Sequence, residues 1–386
     1  MVNERKRIQR GMIDCNTQSA FFTLLRAGLW EQSARIGLFL PLDFDSLFQL
    51  AEEQSVIGLI AAGLEHVEDT VVPDNQVLPF VNEVQELENR NFAMNYFLDV
   101  VMDKLYEAGI NAILVKGQGI AQCYARPLWR ASGDVDLLLD EINYDKAKSF
   151  ITPLATSIDP EDTKVKHLGM TIDPWLIELH GTLMGGISNR VNRVITSVQV
   201  DCFVNGGIRT WHSGNTDICL PSPDNDVIFI FAHFLNHFFH GGIGLRQICD
   251  WCRLLWTYRS VLDYTLLENR IREMGLITEW KAFASYAVNY LGMPAEATPL
   301  FDESLNSYYW TRKTHRINSF IFEVGNFGHN RDSSFYDKYP YLIYKAISLW
   351  RHLSDFFCHI MIFPLNSLRV LGHTLSDGIR AIVRGN

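Results

Sequence analysis

The chain is short of positive charge. It sets 34 Lys and Arg against 44 Asp and Glu, a net charge of −10 over 386 residues. That balance excludes a broad, sequence-independent footprint on long nucleic acid, which needs clustered cations to neutralise phosphates, and leaves room only for a local basic pocket. A disulfide framework is lacking too. Seven cysteines, odd in number and irregularly spaced, fit reduced thiols and predict a cytoplasmic protein. Cys249 and Cys252 form the sole C-x-x-C, in the apolar stretch QICDWCRLLW. With no second pair, they read as buried thiols rather than a zinc or redox site. No stretch has the form of a signal peptide or a membrane span, so no membrane contact is expected. Low-complexity tracts and fixed-period repeats are also missing, which excludes long disordered segments and solenoids.

What is present is an ordinary apolar fraction, 47%, in a chain too long for one core, so several domains or one core with large helical additions are expected. The first hundred residues read as helical. After the turn Val72-Pro73-Asp74-Asn75, the residues Phe80, Val84, Leu87, Met94, Leu98, Val101 and Leu105 recur at steps of three and four and predict one long amphipathic helix. Asn91 interrupts that stripe and reads as a face turning toward solvent in preference to a buried polar contact. Gly109 ends the helix. Ala112-Ile113-Leu114-Val115 then has the β-branched, continuous apolar character of a buried strand.

A Gly-containing turn and a helix to about Tyr124 should follow, then a strand over Asp134 to Leu139, a helix over Tyr144 to Ile151, and a strand over Trp175 to His180. Val198 to Thr210, broken by Gly206-Gly207, reads as a hairpin. Ser222-Pro223-Asp224 carries helix-start signals, and helical patterns dominate thereafter. The expected division is an N-terminal helical region over 1–107, an α/β core over 108–220 and a C-terminal helical region over 221–386.

The chemistry gathers in the core. In a strand, residues i and i+2 share a face, so Asp134 and Asp136 project together while Val135 and Leu137 enter the core. Adjacent carboxylates repel each other. A divalent cation relieves the repulsion, and magnesium, which takes hard oxygen ligands and substrate phosphates, suits the pair. On that reasoning, Asp136→Asn should leave the metal-free fold intact or slightly more stable. Gly117 and Gly119 follow a buried strand and let backbone amides approach phosphate oxygens, with Lys116 adding charge at that edge. Glu178, on the strand Ile177-Glu178-Leu179-His180, is costly to bury unless paired or metal-bound. If its strand lies beside that of Asp134 and Asp136, three carboxylates converge, as two-metal transfer chemistry requires. Arg130 could contact phosphate or pair with the carboxylates. Arg246 and Asp250, four apart, most simply form a helix pair.

Lys116-Gly117, Tyr124, Pro127, Arg130, Asp134-x-Asp136-Leu137 and Glu178-x-His180 together resemble the poorly characterised bacterial nucleotidyltransferase family of the DNA polymerase β superfamily. Asn91 and the stretch from Ala232-His233 to Asp250 are similar in character, so the likeness extends over most of the chain. It implies an α+β fold: a polymerase-β-type core with a small mixed β-sheet, flanked by helical regions, its active site in the cleft between core and C-terminal helices. It implies two Mg2+ ions bridged by Asp134 and Asp136, with Glu178 bound to, or acting as base near, the metal that activates the acceptor. A nucleoside triphosphate, ATP, would be the substrate, and AMP would pass to a hydroxyl of a small-molecule or protein acceptor.

One departure stands out. The superfamily usually has Gly-Ser or Gly-Gly at the turn, whereas Gln118 follows Gly117 here, which shifts the phosphate contact toward Lys116 or the backbone amides of 117–119. His180 could orient the acceptor, accept a proton or hydrogen-bond Glu178. Two alternatives remain: a non-catalytic nucleotide-binding module on the same fold, and a zinc hydrolase built on His233 and His237, which share a helical face.

Overall fold

The computed structural model describes residues 14–326 and 341–372. Four helices come first: α1 (Cys15–Trp30), α2 (Phe44–Glu53), α3 (Ile57–Glu65) and the long α4 (Asp74–Glu107). Every position of the predicted α4 stripe except Leu87 is buried. The α/β part contains β1 (Ala112–Val115), α5 (Gly117–Ala121), β2 (Val135–Leu139), α6 (Glu141–Ile151), β3 (Ser157–Ile158), β4 (His167–Ile172), β5 (Trp175–His180) and α7 (Asn189–Val204). A hairpin of β6 (Ile208–Ser213) and β7 (Thr216–Pro221) leads to α8 (Pro223–His240), α9 (Leu245–Tyr258), α10 (Tyr264–Met274), α11 (Ile277–Leu291), α12 (Tyr308–Val324) and α13 (Tyr341–Ile362). No helix among the described residues is long and apolar enough to cross a membrane.

The central sheet is mixed, in the order β1-β2-β5-β4-β3. Strands β2 and β5 run parallel, and every other pair is antiparallel. Alternation along the strands assigns the two faces. Val135, Leu137, Leu139, Trp175, Ile177 and Leu179 pack with α4 and α6 in one apolar cluster. Asp136, Glu178 and His180 therefore point to the opposite face. There, Ile113, Val115 and Leu138 join a second cluster shared with α7, α8 and α9.

Two expectations need correction. The hairpin placed at Val198 to Thr210 lies later, at β6–β7, because Val191, Val194, Ile195, Val198 and Cys202 bury one helical stripe and carry α7 through to Val204. Spacing of three and four outweighs the β-branched composition there. Asn91 is a buried polar contact rather than a solvent-facing position. It is 0% exposed, and its Nδ2 donates to the carbonyls of Leu128 (2.7 Å) and Arg130 (2.8 Å). Its Oδ1 accepts from Ser132 Oγ. One amide thus clamps the loop that leads into β2.

The neighbouring helices tighten this arrangement. A side chain on Gly58 of α3 would collide with the Trp129 carbonyl, so glycine alone lets α3 sit against the same loop. Gln54, at the end of α2, accepts from Leu245 N through its side chain (3.0 Å) and from Arg246 N through its carbonyl (3.3 Å), fixing the start of α9. Both walls of the cavity described below are therefore held by the N-terminal helices. Replacing Asn91 with Ala leaves the buried Arg130 carbonyl and the half-buried Leu128 carbonyl without this donor and is expected to cost about 1–3 kcal/mol, read as a lowered midpoint in chemical denaturation. An unchanged midpoint would show that the loop is held by other contacts.

Candidate active site

Sheet register builds the site. Asp136 is the ladder partner of Glu178 across the parallel β2–β5 pair, and Asp134 lies just before β2. Oxygens of Asp134, Asp136 and Glu178 all lie within 4.8 Å of one another. They open into a cavity of about 320 Å³ whose other wall is made by Ile230, His233, Phe234 and His237 of α8 and by Arg246, Gln247 and Asp250 of α9. The cavity lies between the sheet and the C-terminal helices.

The charges in this cluster are unequally served. Asp136 is 2% exposed and accepts from Lys116 Nζ at 2.6 Å and His180 Nε2 at 2.8 Å. Burial favours its neutral form, but Lys116 and His180 outweigh burial and hold the carboxyl below its usual range. Asp134 has no such partners. Burial, then the charge of Asp136, pushes its pKa up. Hydrogen bonds from His167 and His180 hold Glu178 far below the ordinary carboxylate range. Three hard oxygen donors, one of them left under-compensated, suit a divalent cation.

Lys116 sits at the β1–α5 turn with φ 59° and ψ −148°, a conformation that costs a non-glycine residue about 1–3 kcal/mol. Gly117 follows with φ 43°, where glycine is the residue that fits without strain. This pair of left-handed residues turns the Lys116 ammonium back over the sheet onto Asp136. Lys116 and Gly117 line the cavity.

Gln118 and Gly119 do not reach it. Gln118 is buried and donates to Asn95 Oδ1 at 2.9 Å, and Gly119 packs beneath Leu220. The departure from the usual Gly-Ser turn is thus an inward-facing side chain tied to α4.

Arg130 lies on the cavity wall, but it pairs with neither Asp134 nor Asp136. Its guanidinium meets Asp250 in a bidentate pair, Nε to Oδ1 and Nη2 to Oδ2, both 2.7 Å. Tyr124 Oη also donates to Asp250 Oδ1 (2.8 Å). The expected Arg246–Asp250 helix pair is therefore absent, because Asp250 is already occupied.

Arg246 instead donates to the Ala131 carbonyl at 2.8 Å. Its Nε is buried without a hydrogen-bond partner, and no carboxylate pairs with it among the described residues. Burial, then the nearby Arg130, lowers its pKa. Arg246 was the functional candidate the sequence did not reveal. The i, i+4 spacing to Asp250 suggested local pairing, and nothing local announced Arg130 as the competitor.

His180 stands behind the carboxylates, between Asp136 and Glu178, at 3.5 Å from Glu178 Oε2. His233 and His237 do line the cavity, with their Nε2 atoms 3.1 Å apart. Burial, then Lys116, pushes the His237 pKa down to about 4, so the ring is neutral at ordinary pH. Among the described residues no third ligand atom closes on this pair, and the zinc-hydrolase alternative lacks a ligand set.

The mixed sheet thus carries Asp134 and Asp136 at the start of one strand and Glu178 on its parallel neighbour, all facing one cleft. The chain belongs to the uncharacterised nucleotidyltransferase family, whose model matches residues 41–292. Membership points to nucleotidyl transfer in general terms. No curated protein and no solved structure matches the chain.

The unequal charges revise the stability expected of the two aspartates. Asp136→Asn removes the carboxylate that Lys116 and His180 share, and should lower metal-free stability by about 3 kcal/mol, as breaking a buried ion pair does. Asp134→Asn should leave the fold as stable or more so. A raised folded-state pKa means that ionised Asp134 opposes folding at neutral pH, and the gain should fade as pH falls through that raised pKa and be gone below the unfolded-state carboxyl pKa. Thermal melts of both variants in chelator, at neutral and acid pH, check the contrast. Equal shifts would contradict it.

Proposed function

We propose that the protein transfers a nucleoside monophosphate, AMP from ATP, to a hydroxyl group of a small-molecule or protein acceptor. The observation that carries this reading is the β2–β5 register, which brings Asp136 and Glu178 side by side with Asp134 at the rim of one cavity. Two Mg2+ ions held by Asp134, Asp136 and Glu178 would supply charge neutralisation at the α-phosphate and at departing pyrophosphate. The acceptor oxygen forms a bond to the α-phosphorus as the α–β phosphoanhydride bond breaks. Pyrophosphate leaves with the bonding electron pair, and the hydroxyl proton passes to solvent. Glu178 is a poor base, since two imidazoles hold its carboxyl far down, and its role is to hold metal rather than to take a proton.

The chain's own cations would bind the triphosphate. Arg246 sits in the first turn of α9, where the helix dipole already presents positive charge. With Arg130 close by, that position is unfavourable for a cation and is relieved by a bound anion. Lys116, which lines the cavity beside Asp136, would bind the phosphates from the side of the sheet. Arg130, Asp250 and Tyr124 form the buried base that keeps Arg246 aimed at the cavity.

The acidic chain favours an acceptor other than long nucleic acid. All seven cysteines are free thiols, in keeping with a cytoplasmic setting.

Pyrophosphate release from a panel of nucleoside triphosphates with Mg2+ and cell extract tests the reading. Release should depend on Mg2+ and disappear in Asp134→Asn and Asp136→Asn. Arg246→Ala should raise KM for the nucleotide about 10–100-fold, the worth of hydrogen bonds to a charged group. Nucleotide binding without release under any of these conditions would point instead to a non-catalytic binding module.

A further inference from the structure

A second cluster of metal-ligating atoms adjoins the carboxylates. His167 on β4 is the ladder partner of His180 on β5, and Glu178 lies two residues before His180, so all three side chains project from one face. His167 Nε2 is 3.2 Å from Glu178 Oε2, and His180 Nε2 is 3.5 Å from the same oxygen. One ligand atom from each of the three residues lies within 4.8 Å of the other two.

The hydrogen bonds to Glu178 are loose ones, at spacings that metal ligands also adopt. Charge-assisted N–H···O bonds run to about 2.7–2.9 Å, and both contacts to Glu178 are longer. His180 has a single Nε2 position, already directed at Asp136 at 2.8 Å. Ligands bonded at about 2.0–2.2 Å to a tetrahedral ion stand about 3.3–3.6 Å apart. Position 169, the partner of Glu178 on β4, is glycine, and the Asp159 carboxylate takes the space that a Cβ there would fill, so a further acidic group stands beside the cluster.

We propose that His167, His180 and Glu178 form a binding site for a borderline divalent transition-metal ion, distinct from the magnesium positions and joined to them through the Glu178 carboxylate. Two imidazoles and one carboxylate select Mn2+, Co2+ or Zn2+ over Mg2+, which prefers oxygen ligands and dehydrates reluctantly. Coordination uses the Nε2 lone pairs, so the His180 ring proton moves to Nδ1 and Asp136 gives up that hydrogen bond. Occupation of this site therefore leaves Asp136 freer to bind the neighbouring ion, and the two positions are linked through shared side chains. His167 is 39% exposed at its side chain, which leaves the cluster open to an incoming ion.

The inference does not rest on nucleotidyl transfer, and its test reads metal binding alone. The full-length chain, stripped with chelator, is titrated with Co2+ while its visible d–d absorption is followed. A saturable band of nitrogen-ligated Co2+ is expected, displaced by Zn2+ and not by millimolar Mg2+. His167→Ala and, as a gentler change, His167→Gln should each weaken Co2+ at least about tenfold while near-UV circular dichroism of the metal-free chain stays as in the wild type. Unchanged Co2+ affinity in both variants overturns the proposal, as does a band lost in Asp134→Asn but kept in His167→Ala, which would place the ion among the carboxylates. A chain that binds Co2+ as described yet releases no pyrophosphate with Mg2+ would sink the proposed transfer activity and leave this site standing.

Discussion

Like charge held at close range is the constraint around which the molecule is arranged. Parallel pairing of β2 and β5 sets Asp136 opposite Glu178, and like charges directly opposite in a ladder repel. Each carboxylate is answered from a different element: Asp136 by Lys116 from the β1–α5 turn and by His180, and Glu178 by His167 from β4 and by His180. Asp134 is left with least compensation. The left-handed backbone at Lys116 and Gly117 makes sense in this light, because it folds a cation back over the strand ends where the negative charge accumulates. Strain at that turn is offset by one of the tightest ion pairs in the protein.

The opposite wall has the complementary problem, an excess of buried cation. Arg130 is neutralised by Asp250 within a fully hydrogen-bonded pair, while Arg246 is left with a backbone carbonyl. Its exposure to the cavity is secured from a distance. Gln54 holds the first turn of α9, Asn91 holds the loop carrying Arg130, and Gly58 allows α3 to close on that loop. The N-terminal helices contribute no side chain to the cavity lining, yet they set the distance between its negative and positive walls.

Much of this was legible in sequence where the informative period is short. Alternation over Val135 to Leu139 and Trp175 to His180 separated core residues from site residues, since neighbouring strand positions necessarily face opposite ways. Spacing of three and four identified α4 from Phe80 to Leu105. Local signals misled where two readings competed over the same residues. The β-branched run before Gly206 suggested a strand, but its burial stripe is helical. Asn91 lies on the apolar stripe, but nothing local identified its partners, which lie 37 and 39 residues away. Strand β4 went unread, and with it His167.

The sequence by itself determined which residue types are present for the chemistry and on which face of its own element each one lies. It supplied the Asp-x-Asp, the Glu-x-His and the basic turn, and the chain's membership of a nucleotidyltransferase family agrees with that reading. Only the tertiary structure decided pairings: that Glu178 stands against Asp136, that Asp250 belongs to Arg130 rather than to Arg246, that Gln118 turns inward, and that His167 joins His180. The physical reason is that facing direction follows from the repeat of a single strand or helix. A choice among charged partners depends on competition between residues on different elements, as far apart as Arg130 and Asp250, which is settled only when the elements pack.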